Sequence, residues 1–126
     1  MSDDVTLSFP ADTANVRLAR TIAAAMAARA DLPVDQLEDV RLAVDEAVSQ
    51  LVGDAESSTI ITCVFTLTGD GLEIIVSGHT RTGAVPSTGT FSWTVLSALV
   101  DSVSASSAGR RVTLTLRVVR HIPVDA

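Results

Sequence analysis

The 126-residue chain is 47% apolar, carries a formal net charge of −6 and draws all nine of its basic charges from Arg, with no Lys. That is the length of one ordinary domain, able to build a core without disulfides or a structural metal. The acidic balance and the missing Lys argue against a nucleic-acid surface, a polybasic membrane anchor or a P-loop, and one Trp with no Tyr makes no stacking platform for single strands.

The first residues, Met1-Ser2-Asp3-Asp4, are acidic where an export signal needs positive charge, and the apolar run Ile22 to Ala28 is too short to span a membrane. A single Cys63 in an apolar stretch reads as a small core residue, so a reduced, cytoplasmic setting is expected.

In chain order, the alternation Val5-Thr6-Leu7-Ser8-Phe9 predicts a strand closed by Pro10, and Asp12 or Thr13 is placed to cap a helix. Val16, Ala19, Ile22, Ala23, Met26 and Ala30 recur at helical spacing, leaving Arg17, Arg20 and Arg29 for solvent or a partner, until Asp31-Leu32-Pro33 ends the element. A second helix opens on Asp35 and Glu38 at capping-box spacing, buries Leu37, Val40, Val44, Ala47, Val48 and Leu51, and stops near Gly53. Thr59 to Thr68 and Leu72 to Ser77 read as strands around the Gly69-Asp70-Gly71 turn.

Residues 78 to 90 show no periodicity and read as a loop of the length that tends to carry function. Phe91 to Val100 then predicts a short helix with Phe91, Val95, Leu96 and Leu99 inward, followed by two strands about the Ala108-Gly109 turn. The order β, α, α, β, β, α, β, β predicts a single two-layer α/β (α+β) sandwich over residues 1–126, with about five strands, helices on one face and a second face that serves as a partner surface if apolar.

Helical spacing puts Glu46 and Gln50 on one face of the second helix, where a carboxylate and an amide can meet one ligand. Asp39, Asp45, Glu46 and Asp54 lack the spacing of a calcium loop and read as a charged helix face. His79 and His121 have no companion at metal-ligand spacing, Ser92, Ser97 and Ser102 lie in no nucleophile elbow, and Trp93 reads as a core or interface filler.

Element order together with Leu42-Ala43-Val44-Asp45-Glu46-Ala47-Val48-Ser49-Gln50 and Phe91-Ser92-Trp93 resembles the GHKL (HATPase_c) ATPase superfamily, and within it the anti-sigma-factor serine kinases of the RsbW and SpoIIAB type, with the Phe-Ser-Trp variant similar to actinobacterial UsfX-type proteins. The resemblance implies a Bergerat-type sandwich with a mixed sheet. It implies that Glu46 stands at the family's base position and Gln50 where an Asn holds magnesium, a metal that tolerates little displacement of its oxygen ligands. Gly78 and Thr80 fall on the family's adenine-binding Asp and Gly, and Thr90 and Ser92 on the glycines that admit phosphates. An adenine donor buried without its acceptor costs about 1 to 3 kcal/mol.

These departures predict a degenerate nucleotide site with no bound cofactor. The resemblance implies an anti-sigma factor that sequesters an alternative sigma factor, exchanges it for an anti-anti-sigma (STAS) protein, forms a homodimer and uses Arg17, with Arg20 beside it, to grip partners. The alternatives are an active Mg-ATP-dependent serine protein kinase with Glu46 as base and Gln50 as metal ligand, and a binding module unrelated to sigma factors.

Overall fold

The computed structural model describes residues 4–121. Its elements are β1 (Asp4–Pro10), a 3-10 turn (Thr13–Asn15), α1 (Val16–Arg29), α2 (Val34–Gly53), β2 (Ile60–Leu67), β3 (Gly71–His79), α3 (Phe91–Leu99), β4 (Ser102–Ala108) and β5 (Arg111–Val119). The strands form one sheet in the order β1-β2-β3-β5-β4. Every pairing is antiparallel, where the family resemblance led us to expect a mixed sheet. The reason is that β2–β3 and β4–β5 are direct hairpins, and the crossover through α3 sets β4 on the far side of β5 rather than beside β3.

Register explains the core. One row across the sheet runs Leu7, Cys63, Val76, Leu114 and Ala105, and the next runs Val5, Phe65, Ile74, Leu116 and Val103. Alternation sends these side chains to the face covered by the helices. There they meet Ala19, Ala23, Met26 and Ala27 of α1 and Val40, Ala43, Val44, Ala47, Val48 and Leu51 of α2, all buried in one cluster. The alternate positions on the open face include Thr62, Thr66, Ser77, Thr113 and Thr115 with the charged pair Glu73 and Arg117, and only Val64 and Ile75 pair as apolar residues near its centre, so this face is more polar than the apolar surface that docking would favour.

Several boundaries differ from the sequence reading. Pro10 remains inside β1, paired with Ile60, because β1 is an edge strand and a missing amide is tolerated there. Asp35 and Glu38 form no capping box: α2 starts one residue earlier, with Pro33 extended at its N-cap and no side-chain cap, so Asp35 lies in the first turn, where a carboxylate favours the positive helix end. Glu38 instead accepts from Arg41 at 2.8 Å. β3 continues through Gly78 and His79, since β5 still pairs with both. Phe91 is not inward but 81% exposed, because Leu96 is the one residue of α3 that is fully buried.

Candidate functional site

Two ends of secondary structure converge beside the C-terminal half of α2. Glu46 and Gln50 are half-buried on one face of α2, one turn apart. Opposite them α3 begins at Thr90, whose side-chain oxygen accepts from the Trp93 amide at 3.2 Å and so caps the helix. The cap places Ser92 in the first turn of α3, directed at α2. Its hydroxyl donates to the Glu46 carboxylate and accepts from the Gln50 side-chain amide. Three of the residues singled out in the sequence are therefore brought into one hydrogen-bonded group.

Gly78 and Thr80 are close by in sequence but do different work. Gly78 is buried on the core face of β3, and a Cβ there would lie 2.7 Å from Ile61 Cδ1. The Ile61 side chain thus takes the space that a side chain at position 78 would need. Thr80 is 1% exposed. Its hydroxyl donates to the Arg110 carbonyl at 3.2 Å and accepts from the Gly83 amide at 2.8 Å, and its own amide donates to the same carbonyl at 2.8 Å.

Asp54, at the end of α2, completes the root of the 80–90 loop. Its carboxylate accepts from Thr82 Oγ1 at 2.6 Å and stands 3.5 Å from Arg81 Nε, while its carbonyl accepts from the Arg81 amide at 2.7 Å. The Thr82 hydroxyl, and after it the Thr82 amide and the Arg81 charge, hold the carboxyl below its usual range against a smaller opposing effect of desolvation. The sequence reading had placed Asp54 only on a charged face; its partners lie 27 and 28 residues away, a separation with no local signal.

Arg17 is exposed and makes no ion pair among the described residues, whereas Arg20 is paired with Asp45 at 2.8 Å. Asp45 also accepts a long bond from Ser49 at 3.4 Å. No group of three potential metal ligands occurs among the described residues. His79 is exposed at the end of β3, and His121 lies 2.9 Å from Asp101. Cys63 is fully buried, and burial pushes its thiol up to about 12.

Residues 9–117 match the histidine kinase-like ATPase domain family. The chain belongs to that family, in its RsbW group. It is 34% identical over 122 residues to the anti-sigma-F factor RsbW of Mycobacterium tuberculosis, which covers 90% of this chain and 73% of the relative. It is 35% identical over 82 residues to the serine-protein kinase RsbW of Listeria monocytogenes, covering 63% of this chain and 52% of the relative. The crystal structure of the RsbU and RsbW domains of Rv1364c from Mycobacterium tuberculosis superposes with a TM-score of 0.70 at 19% identity. That likeness covers 97% of this chain but about a third (35%) of the other, and it bears on fold alone.

Membership of an ATPase family makes a magnesium nucleotide the ligand to test against this corner. Magnesium takes near-octahedral oxygen donors at short range. Here the Gln50 side-chain NH2 and one oxygen of the Glu46 carboxylate are bonded to Ser92, and positions 78 and 80 hold Gly and Thr. Membership of the family makes binding of ATP with magnesium possible, with the Glu46 carboxylate and the Gln50 carbonyl as the oxygen donors this corner offers. Among the described residues no helix is long and apolar enough to cross a membrane.

Proposed function

We propose that the chain is an anti-sigma factor that holds an alternative sigma factor by stoichiometric binding and releases it when an anti-anti-sigma protein of the STAS type competes. The observation that carries this reading is the identity with the anti-sigma-F factor RsbW, sustained over 90% of the chain. It is supported by a nucleotide corner whose Glu46 and Gln50 are bonded to Ser92, which favours control by partner exchange over control by phosphoryl transfer. In this reading Glu46 is a vestigial base, the protein is cytoplasmic, and it works as a homodimer whose two-fold symmetry is the usual one for such assemblies. Arg17 is the partner-gripping residue, exposed on α1 and without an ion pair among the described residues, while Arg20 contributes through its ion pair to the shape of that surface.

The test is calorimetric titration of the chain with each alternative sigma factor of its host, with and without Mg-ATP. Tight binding of one of them that does not change with nucleotide supports the reading; absence of binding to all of them sinks it. A second reading, an active serine protein kinase, is favoured by the serine-protein kinase RsbW relatives. Transfer of phosphate to a STAS-protein serine, abolished in Glu46→Ala, would establish it in place of the first.

A further inference from the structure

Where β5 ends, residues 119–121 meet the corner between α1 and α2, and most of the bonds that join them are made by side chains. α1 stops at its C-cap residue Ala30, which is buried, and the chain turns through Asp31 at φ +56°. The amides of Ala30, Asp31 and Leu32 donate back to the carbonyls of Met26, Ala28 and Ala27 at 3.0, 3.0 and 3.1 Å. The Ala30 carbonyl, which a helix end leaves without an intrahelical donor, is met from 90 residues away by Arg120, whose Nε and Nη2 donate to it at 3.1 and 2.6 Å. On the first turn of α2, Gln36 Nε2 donates to the Val119 carbonyl and Gln36 Oε1 accepts from the His121 amide, both at 2.8 Å. From the sheet side, the Arg120 amide donates to the Asp70 carbonyl at 2.7 Å. Asp101, just ahead of β4, accepts from the Val119 amide at 2.7 Å and stands 2.9 Å from His121 Nε2.

We propose that residues 119–121 are a strap: together with the corner at residues 30–36 they close on the end of the sheet as one unit and release as one unit, ahead of the rest of the fold. Gln36 grips the chain on both sides of Arg120 and so aims the guanidinium at the Ala30 carbonyl, while Asp70 and Asp101 hold the same residues from below. Bonds that share one short segment reinforce each other, because each fixes the backbone that the others need. The unit is separable because little apolar surface holds it. Val118 is 3% exposed and marks the end of the core, after which Val119 is 38% exposed, and Val34 in the corner is 74% exposed. Within residues 30–36 only Ala30 and Leu32 are buried, and regions of few buried apolar contacts open first. Release loosens α1 at the end opposite Arg17, so the strap belongs to the chain's own packing and stands whatever partner binds.

Amide exchange followed by NMR on the full chain, at a series of low urea concentrations, tests the strap. In the parent, the amides of Asp31, Leu32, Arg120 and His121 are expected to share one opening free energy and one urea slope, both smaller than those of Cys63, Ile74 and Leu116 in the sheet. Gln36→Ala should raise exchange about tenfold at Asp31, Leu32 and Arg120, although the Gln36 side chain is bonded to none of these amides. Arg120→Ala should do the same at His121, whose amide is bonded to Gln36. Arg110→Ala removes the Glu56 ion pair at the other end of β5 and should leave all four amides at the parent rate. Acceleration confined to His121 in Gln36→Ala would make the contacts independent. Opening of the four amides only with the sheet, parent-like rates at Asp31 and Leu32 in Gln36→Ala, or an equal response to Arg110→Ala would likewise overturn the strap.

Discussion

Arg20 Nη1 stands 2.8 Å from Asp45 Oδ2, joining α1 to α2 through side chains that are 37% and 30% exposed. Asp45 is the residue immediately before Glu46, so the ion pair fixes the turn of α2 that also presents the Glu46 carboxylate to Ser92. It further separates two arginines that share a helix. Arg20 is committed within the fold, and Arg17, three residues earlier, is left to solvent.

Substituting the two arginines is expected to give opposite results. A part-exposed pair of this kind is worth roughly 0.2 to 1 kcal/mol, so Arg20→Ala lowers stability to urea by about that amount. Arg17→Ala leaves the urea midpoint unchanged but weakens sigma-factor binding by about 2 kcal/mol, as a central interface Arg commonly does. Unchanged affinity in Arg17→Ala ends its assignment as a contact.

Gly71 and Gly69 flank one turn and differ sharply in the space around them. A Cβ on Gly71 would lie 1.9 Å from the Val118 carbonyl oxygen, whereas nothing stands within 4 Å of one on Gly69. Gly71→Ala is expected to destabilise by about 2 kcal/mol or more, since backbone of β3 or β5 must move. Gly69→Ala should lie within about 0.5 kcal/mol of the parent, with both read from chemical unfolding.

Cys63 resists alkylation in the native state. Its thiol is raised from 9.0 to about 12 by burial, so the neutral form is favoured by folding. The unfolded chain loses that proton first, and stability present below pH 9.0 is lost as pH rises toward about 12. Maleimide at about pH 8 should label only denatured protein. Cys63→Ala should flatten the alkaline fall in melting temperature.

Asp101 ties the end of β5 down and produces an acid-side counterpart. Its carboxylate accepts from the Val119 amide at 2.7 Å and stands 2.9 Å from His121 Nε2. Burial pushes against ionisation, but these two partners outweigh it and hold the carboxyl below its ordinary 3.8. The stability it contributes is present above 3.8 and lost as pH falls through the lowered folded value. Asp101→Asn should therefore show a shallower loss of melting temperature between about pH 6 and about pH 3 than the parent.

The eight regular elements were legible in the sequence, together with the stripes of α1 and α2 and the buried state of Cys63, because periodicity reports which face of an element is apolar. The same pattern failed at Phe91, where apolar character and helical spacing suggested burial and the start of α3 instead points the ring outward. Ends were read less well than middles: Pro33 displaced the expected capping box of α2, and β5 carried β3 two residues past Ser77.

The sequence by itself determined the family and singled out Gln50, Gly78, Thr80, Thr90 and Ser92 beside Glu46 as the residues to look for in the fold. What only the tertiary structure decided is which of those residues meet. Ser92 closes on Glu46 and Gln50 from 46 and 42 residues away, Ile61 lies against Gly78, and Arg20 turns from the surface to Asp45. Local spacing encodes the face a side chain occupies, but a hydrogen bond between two helices depends on how both are packed on the sheet, and that is settled by the core they share.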